Sequence, residues 1–496
     1  QGDVYAAKRL VQLFSYTSRL TLRDVDLTQQ CLDDYMEIEH KLDELEQSHT
    51  SPFLLDSLND IIKKWLLPFD STQIHFKHGP GGVSGHGRCS HDTKYKDLGS
   101  DELLSYCFGT PWWVQSPIPS NLDRISSTIF VPKSYKTFRT ISMEPATLQY
   151  VQQGVLKEID RVVRSSRWLR SHIGFNDQTR NQRMSEEGSI YRNLATIDLS
   201  AASDSVSYSL VKRLFRGTKL LRYLVGTRSK KTLLPDGRLI TLKKFAPMGS
   251  ALCFPVETII FAAISEYVAR EHGVKEQYSV FGDDIIIPTQ CASDLMLILE
   301  TLGFSVNKTK SFYQQDCWFR ESCGTEYCDG FDVTPMKVSR NYQHSDDAIK
   351  TTGLKDLANA AYEKGFNYLR AFFIRKLKFS YWTEANPLFA RESKKQKSSK
   401  PVFKLKKAGR AKSIPSKVKV YYKPLYAPNG LRSDSFTNFH LKVRWNSNLQ
   451  RFDCRTSSPV ARYSSTDYSE EIRLRHWFES THNRISIGDG FQAETR

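Results

Sequence analysis

The amino-acid sequence predicts an α+β fold, because it contains both long helical patterns and separate strand hairpins. Residues 1–70 and 345–384 repeat apolar residues at helical spacing. The segments 233–241 and 278–288 are predicted hairpins, since each places a short turn between two β-prone runs. At 496 residues, the chain is long enough to bury a large core and to divide into subdomains.

The first helical region is predicted to bury one face in the core. Loops rich in Gly, Pro and Ser follow in 71–130, and 131–190 combines a basic strand with a helix at 149–168. The buried face of the first region is expected to contain Leu54, Leu58, Ile61, Ile62, Trp65 and Leu66.

The hairpin at 278–288 is the most informative stretch, because it carries Asp283 and Asp284 at its turn. Gly282 permits the tight turn, and Pro288 ends the second apolar run. Two adjacent carboxylates repel each other, so the pair favours a divalent cation as its partner. For this short motif alone, a solvated Asp-rich turn remains an alternative.

A third acidic residue, Asp198, ends a buried strand predicted at 193–198. Asp204 follows among small residues that suit a turn and a helix start. A two-metal phosphoryl-transfer site needs carboxylates from separate elements to bridge ions about 3.5–4 Å apart. A strand-end Asp together with a hairpin Asp pair meets that need. The alternative for Asp198 is a helix N-cap.

Four short motifs follow one another along the chain: ATIDLSAASDSVS at 195–207, PMGS at 247–250, FGDD at 281–284 and FRESCG at 319–324. In order and spacing they resemble the palm motifs A, B, C and E of the replicase of the small single-stranded RNA bacteriophages, the leviviruses. The resemblance is sharpest from 131 to 338. It implies a right-hand polymerase with fingers, a palm built on an antiparallel sheet with helices, and a thumb, which copies RNA from RNA.

The resemblance implies that Asp198, Asp283 and Asp284 are catalytic and hold two Mg²⁺ ions, which Mn²⁺ can replace. In such a site, the 3′-hydroxyl of the new strand attacks the α-phosphate of a nucleoside triphosphate, and pyrophosphate leaves. A downstream stretch resembles motif D and makes Lys310 the candidate general acid for the leaving group. Lys308 lies two residues away.

Nucleotide binding is also implied by the resemblance. Asp204 and Ser250 are the candidate pair that senses the ribose 2′-hydroxyl, although the best-known members have Asn in place of Ser250. Phe281 stands where Tyr is usual, which removes a hydroxyl but no metal ligand. Basic residues of the predicted fingers would hold the triphosphate, the alternative being a solvated strand face. The candidate nucleotide-binding residues are Lys133, Lys136, Arg139, Asp204, Gly249 and Ser250.

The net charge of +17 predicts a polyanionic partner. The stretch 391–423 contributes most of it, with thirteen Lys or Arg against the single acidic residue Glu392. Ser, Pro and Gly interrupt any helix there, so a loop or disordered arm is expected. Because Phe403, Tyr421 and Tyr422 interleave with the charges, RNA contact is favoured over a solubilising tail.

The resemblance and the composition together predict a division of the chain. They also predict no membrane span and no secretory signal, since long apolar runs are lacking. The first residue is Gln1 rather than Met, so a fragment of a longer reading frame is expected. The predicted parts are fingers and N-terminal region in 1–190, palm in 191–340, thumb in 341–390, basic segment in 391–423 and an unassigned region in 424–496.

The nine cysteines show no disulfide framework and are interpreted as reduced thiols. A histidine-rich stretch, which also holds Cys89, has ligand types that suit Zn²⁺. The glycine-rich basic loop around it is more typical of an approach to a phosphate chain. The residues of this alternative zinc site are His75, His78, His86, Cys89 and His91.

By resemblance, the enzyme starts RNA without a primer, uses the bacterial translation elongation factors Tu and Ts as partners and works in the cytoplasm of the infected bacterial host. Two alternative functions remain. A reverse transcriptase shares the three aspartates, but Ala201, Ala202 and Ser203 offer no bulk for the steric gate of those enzymes. A catalytically inactive RNA-binding protein with a polymerase fold is disfavoured, because all three carboxylates are present.

Overall fold

The computed structural model of the chain divides into two compact units, Gln1–Lys337 and Val338–Arg496. Helices and sheets are both present, as predicted for the α+β class. None of the helices among the described residues is long and apolar enough to cross a bilayer. The described residues are 4–18, 20, 26–46, 51–98, 124–134, 137–274, 277–338 and 347–376, with strands at 419–422, 437–438, 441–446 and 451–457.

The first unit contains helices that surround several small sheets. Its helices are α1 Val4–Ser15, α2 Thr28–Glu46, α3 Pro52–Leu66, α4 His91–Lys96, α5 Ala146–Ser165, α6 Arg167–His172, α7 Thr179–Tyr191, α8 Ala202–Ser205, α9 Tyr208–Leu214, α10 Leu221–Gly226, α11 Cys253–Glu271 and α12 Ala292–Thr301. Its strands are β1 Ile125–Pro132, β2 Phe138–Met143, β3 Leu194–Ile197, β4 Leu199–Ser200, β5 Lys231–Leu233, β6 Leu239–Thr241, β7 Ser279–Phe281, β8 Asp284–Pro288, β9 Ser305–Val306, β10 Phe319–Ser322, β11 Thr325–Cys328 and β12 Phe331–Asp332.

One large hydrophobic core joins helices to the central sheet of the first unit. The predicted face of α3 is confirmed, since Leu58 and Ile62 are fully buried there. They share a core with Ile260 of α11 and Val280 of β7. Helix α11 is apolar on nearly all sides and is buried along most of its length. Strands β7 and β8 of the central sheet pack against this helix.

The central sheet has the strand order β3-β8-β7, with antiparallel pairing throughout. Its hairpin, β7 to β8, was predicted from the sequence. A second hairpin, β5 to β6, is also confirmed, and Gly237 in its turn has a φ of 87°. The two hairpins follow from the same physics, because a glycine with positive φ closes each tight turn.

The predicted helix at 149–168 is present but differs in its extent. Helix α5 begins at Ala146 and ends at Ser165, and α6 starts two residues later. Ser166 separates them because its backbone is extended, with φ −92° and ψ 119°. Its side-chain oxygen accepts a hydrogen bond from Leu169 N at 3.2 Å. The serine therefore caps a new helix instead of continuing the old one.

The second unit contains helices α13 Asp347–Glu363 and α14 Asn367–Lys376, which confirms helical structure in the predicted thumb segment. Gly365, with a φ of 77°, divides what the periodicity presented as one region. Leu354 and Phe373 are buried.

Strands form an antiparallel sheet in the same unit, although a loop or disordered arm was expected for 391–423. That expectation is wrong for Lys419–Tyr422, where a β-branched residue and two tyrosines suit a strand. Residues 391–418, which include Phe403, lie outside the described part. The strands are β13 Lys419–Tyr422, β14 Thr437–Asn438, β15 Leu441–Asn446 and β16 Arg451–Ser457, in the order β13-β16-β15-β14.

Candidate active site

Pairing of β3 with β8 brings the three predicted aspartates to one end of the central sheet. Ile197 is opposite Ile285, so the next residue of the chain, Asp198, lies across from Asp284. Asp283 is adjacent in the β7–β8 turn. Asp283 and Asp284 both act on the ionisation of Asp198. The structure therefore groups the three carboxylates that the sequence had placed on two separate elements.

The turn that carries Asp283 is fixed by helix α11. Gly282 has a φ of 62°, as the first position of a tight hairpin turn requires. A Cβ atom at this position would lie 2.4 Å from Phe254 Cε2, which leaves no room for a side chain. Gly282 N donates a hydrogen bond to Thr258 Oγ1 at 3.1 Å. The glycine is needed for both the backbone conformation and the close helix contact.

Asp284 is held by the turn of the β10–β11 hairpin, which is the predicted motif E. Its Oδ1 accepts hydrogen bonds from Cys323 N at 2.9 Å and from Ser322 Oγ at 3.3 Å. Burial raises the pKa of Asp284, an effect that the Cys323 amide opposes. Asn181 of α7 also donates to the Asp284 backbone oxygen at 3.0 Å. The predicted motif E therefore orients the Asp284 carboxylate of the candidate site.

Asp198 follows β3 directly and is not a helix N-cap, because α8 begins only after Ala201. The N-cap alternative is therefore wrong. Asp198 Oδ2 accepts a hydrogen bond from Asn307 Nδ2 at 3.0 Å, and its backbone N donates to Ser311 Oγ at 3.1 Å. Burial raises the pKa of Asp198 to about 6. Lys310 opposes that shift, while Asp283 and its neighbour add to it.

The acidic cluster has the chemistry that a hard divalent cation requires. Its donors are carboxylate oxygens, and mutual repulsion helps to keep the pKa of Asp198 high. A bound cation would relieve that repulsion, so the residues fit Mg²⁺. Within the described part of the chain, no three His, Cys, Asp or Glu side chains converge closely enough to form a ready-made metal site.

Of the two lysines near motif D, Lys310 is the one that faces the aspartates. Lys308 Nζ instead lies 3.8 Å from Glu300 Oε1 on α12. Lys310 is exposed and lowers the pKa of Asp198 electrostatically. This arrangement leaves the Lys310 ammonium in solvent at the edge of the cluster, where a leaving group could reach it.

Asp204 and Ser250, the candidate sugar-sensing pair, each have an identified partner. Asp204 Oδ1 accepts a hydrogen bond from Lys244 Nζ at 2.8 Å. Ser250 Oγ accepts one from Leu252 N at 3.3 Å, close to the start of α11. The preceding Gly249 packs against β2 so closely that a Cβ would lie 2.1 Å from the Ser142 carbonyl oxygen. The predicted motif B is therefore anchored to the sheet of order β2-β1-β5-β6.

The candidate triphosphate-binding residues lie near the turn of the β1–β2 hairpin. Lys133 begins that turn, where its backbone N donates to Thr137 O at 2.9 Å. Arg139 is on β2 opposite Val131. Both basic side chains are exposed, while Lys136 lies outside the described residues. The hairpin thus presents positive charge to solvent.

The histidine-rich stretch does not form the zinc site that was considered from the sequence. In the described part of the chain, no metal-binding group of three such residues occurs. His78 is buried and packs edge-to-face against Tyr95 and at a tilt against Tyr150, with ring centroids 4.6 and 4.7 Å away. Burial lowers the pKa of His78 to about 3, so it stays neutral. His86 pairs with Asp97 at 2.7 Å.

Sequence reasoning missed charged residues near the site. Glu321 of motif E acts on the ionisation of Asp198. Glu257 is buried in α11 beside Asp283, and burial raises its pKa to about 8. An acidic residue inside a long apolar helical run was the available signal for Glu257. Lys244 had no comparable signal, because its partners come from distant parts of the chain.

Comparison with known proteins supports the identity of this region. Residues 116–353, just under half of the chain, match the family model described as RNA replicase, beta-chain. A solved RNA-dependent RNA polymerase, the insertion loop deletion mutant from a human picorbirnavirus, gives a TM-score of 0.40 at 12% identity, covering 79% of this chain and 93% of that chain. An overlap this loose adds nothing to the argument about the fold.

Curated relatives come from RNA bacteriophages. The RNA-directed RNA polymerase subunit beta of Enterobacteria phage SP is 42% identical over 216 residues, which cover 43% of this chain and 36% of that protein. The corresponding subunit of Qbeta virus (strain MX1) is 33% identical over 291 residues, covering 57% and 48%. The beta chain of Escherichia phage MS2 is 38% identical over 210 residues, covering 42% and 37%. The resemblance to the levivirus replicases is confirmed, while the chain spans less than half the length of these relatives.

Proposed function

We propose that this chain is an RNA-directed RNA polymerase, a nucleotidyltransferase that replicates the single-stranded RNA genome of a bacteriophage. The observation that carries the proposal is the antiparallel pairing of β3 with β8. That pairing supports one shared site for Asp198, Asp283 and Asp284, inside the segment that matches the replicase family. Phage relatives with RNA-directed RNA polymerase names support the same reaction.

In the proposed reaction, the 3′-hydroxyl of the growing RNA releases its proton to water, and its oxygen forms a bond to the α-phosphorus of a nucleoside triphosphate. The bond from that phosphorus to the bridging oxygen of pyrophosphate breaks. Asp198, Asp283 and Asp284 would hold two Mg²⁺ ions, or Mn²⁺ in their place. Bound ions of this kind supply activation of the attacking oxygen and neutralisation of the leaving oxygen. Positioning and electrostatics then account for most of the catalysis.

Cationic side chains complete the proposed site. Lys133, Lys136 and Arg139 would bind the β- and γ-phosphates through charge-assisted hydrogen bonds. Lys310 would carry a proton at Nζ and give it to the departing pyrophosphate. Its exposed position beside Asp198 supports that role. Asp204 would accept a hydrogen bond from the ribose 2′-hydroxyl, with motif B shaping the opposite side of the sugar.

The whole molecule is proposed to be a right-hand polymerase. Fingers and the N-terminal region would occupy 1–190, the palm 191–340 and the thumb 341–390, with RNA contact from 391–423. No role is proposed for 424–496. From the resemblance we also propose the translation elongation factors Tu and Ts as partners and the cytoplasm of the infected bacterium as the place of action.

Primer-free nucleotide incorporation tests the proposal. Purified chain is given homopolymer or phage RNA template, ribonucleoside triphosphates and Mg²⁺, with and without extract of the bacterial host. RNA-dependent incorporation of ribonucleotides into product complementary to the template is the expected result. Preferential use of deoxyribonucleotides would instead indicate a reverse transcriptase. RNA binding without incorporation under any of these conditions would indicate an inactive RNA-binding protein.

A further inference from the structure

Lys244 is a fully buried cation in the loop between β6 and motif B, and it contacts three groups. Its Nζ lies 2.8 Å from Asp204 Oδ1 and 3.3 Å from Glu39 Oε1. The same nitrogen lies 3.7 Å from the centroid of the Tyr35 ring. Burial alone would lower the pKa of Lys244, but Asp204, Tyr35 and Glu39 together raise it. The lysine therefore remains charged in the folded protein.

The main chain fixes Lys244 next to the element that carries Asp204. Lys244 forms an isolated antiparallel bridge with Ser207, which lies two residues after α8 and caps the start of α9. Phe245 N donates to Val206 O at 2.7 Å on one side of that bridge. The guanidinium of Arg228 donates to the Lys244 backbone oxygen at 2.8 Å. These main-chain contacts hold the backbone of Lys244 in place, so its ammonium group is positioned beside Asp204.

Asp204 borders the catalytic cluster while it is held in this way. Asp204 and Asp283 both help to raise the pKa of Glu257, so both aspartates lie near that buried acid. The Asp204 side chain is 13% exposed, and its bond to Lys244 is made through Oδ1. Among the described residues no hydrogen bond is made to the second oxygen, Oδ2, which can therefore accept one from a ligand. A carboxylate fixed at one oxygen presents the other in a defined direction.

We propose that Lys244 is a positioning residue for sugar selection, which orients Asp204 so that Oδ2 accepts a hydrogen bond from the 2′-hydroxyl of an incoming ribonucleotide. The inference rests on the proposed polymerase function and on the sugar contact of Asp204. It connects Asp204 of the predicted motif A to helix α2, which lies outside the palm motifs, because Lys244 also pairs with Glu39 of α2. The N-terminal helix α2 would then help to set ribose preference at the catalytic site.

A pair of adjacent lysines provides a matched test. Lys244→Met removes the cation beside Asp204, whereas Lys243→Met removes one that pairs with Asp43 and with Glu46 of α2. Each change removes an ion pair with α2, but only Lys244→Met also removes the cation that pairs with Asp204. The measurement is kcat/KM for GTP and for dGTP on a poly(C) template, using the full chain with host extract. We expect the GTP preference to fall roughly 10- to 100-fold in Lys244→Met, the scale of a small misplacement at a reacting site. Lys243→Met should keep the wild-type preference.

A second comparison distinguishes loss of positioning in Lys244→Met from misfolding of that variant. If Lys244 acts through Asp204, the double variant Asp204→Asn with Lys244→Met should have the same sugar preference as Asp204→Asn alone. Lys244→Met leaves both Asp204 and Glu39 as buried carboxylates without their cation, whereas the double variant leaves only Glu39, so it is less prone to misfold. Thermal unfolding checks that each protein is folded.

Three results would overturn the inference. They are an unchanged preference in Lys244→Met, equal losses in both single lysine variants, or a further loss in the double variant beyond Asp204→Asn. GTP incorporation by the wild-type chain and by Lys243→Met tests the polymerase proposal separately. The positioning role can therefore fail while the polymerase function stands.

Discussion

At the scale of single residues, the three candidate catalytic aspartates occupy different environments. Asp284 is held through Oδ1 by the motif E turn, and Asp198 through Oδ2 by Asn307. Asp283 directly follows Gly282 and is the second residue of the turn itself. These contacts orient two of the carboxylates before any ligand arrives, which lowers the reorganisation needed during reaction.

Asp283→Asn should abolish most nucleotide incorporation while it leaves the fold intact. The amide keeps the shape of the side chain but removes the negative charge that a hard cation needs. We expect incorporation to fall by at least about 10³-fold, the scale of losing a principal electrostatic group. RNA affinity, measured by filter binding, should stay near wild type. Asp198→Asn should behave in the same way.

Asp236→Asn is the matched control, because Asp236 occupies the turn of the β5–β6 hairpin, outside the acidic cluster. It should retain wild-type incorporation. Near-normal incorporation by purified Asp283→Asn would remove this site from the proposed mechanism, whatever its sequence motif resembles.

The buried Glu144 makes folding depend on pH. Burial raises its pKa to about 7 in the folded protein, although the Ser229 hydroxyl donates a hydrogen bond to it. The unfolded chain loses that proton near the ordinary value of 4.5. Between these two values the folded state binds more protons, so stability falls as pH rises. The size of the loss is on the order of 3 kcal/mol by the linkage relation.

Glu144→Gln should remove this part of the pH dependence, because glutamine does not titrate. The measurement is the thermal unfolding midpoint at pH 5 and at pH 8 for both proteins. Wild type should lose more stability than the variant on going to pH 8. Equal losses in the two proteins would show that Glu144 ionises normally in the folded state.

At the scale of elements, the active site depends on how a hairpin meets a helix. The β7–β8 turn approaches α11 so closely that only a glycine at position 282 fits against Phe254. The β5–β6 turn uses the same kind of glycine, Gly237, but in open space. The two glycines therefore share a backbone conformation and differ in their packing.

Gly282→Ala should destabilise the protein more than Gly237→Ala. Each places a side chain at positive φ, which costs about 1–2 kcal/mol. Gly282→Ala adds an overlap with Phe254, worth roughly 1–3 kcal/mol more, since the turn or the ring must shift. Denaturant unfolding measures the difference, and incorporation should fall only in Gly282→Ala. Equal destabilisation in the two variants would show that Phe254 of α11 moves aside without a measurable loss of stability.

At the scale of the whole molecule, positive charge is concentrated outside the unit that contains the three aspartates. The segment 391–423 carries most of the net charge of +17. Counterions released from RNA by such a segment make affinity fall steeply with salt. Its contribution is therefore expected to be independent of RNA sequence, in contrast to base pairing at the catalytic site.

Neutralising six lysines of this segment should weaken RNA binding and flatten its salt dependence. Each lost phosphate contact should reduce the slope of log affinity against log salt by roughly 0.7–0.9. The control replaces the same lysines by arginine, which keeps the charge and should keep the slope. An unchanged slope in the neutral variant would show that the segment does not contact RNA. The substituted residues are Lys394, Lys395, Lys397, Lys404, Lys406 and Lys407.

Local signals in the sequence were enough to predict the main hairpins, the α3 core face and the three aspartates. These features depend on periodicity and on turn residues, which neighbouring positions along the chain determine. The helix break at Ser166 and the strand at Lys419–Tyr422 were missed, because a single polar cap and distant strand partners decided them. Boundaries of this kind depend on contacts that a local pattern does not contain.

The sequence by itself determined which residues could do chemistry, namely the carboxylates at a strand end and in a tight turn. Only the tertiary structure decided which of them meet and what supports them. The register of β3 with β8 sets Asp198 beside Asp284, and the motif E turn orients the latter. Lys244 meets Asp204 across 40 residues of chain and Glu39 across a much longer separation. Buried charges must find partners wherever the fold brings them, so their pairing is a property of the packed molecule.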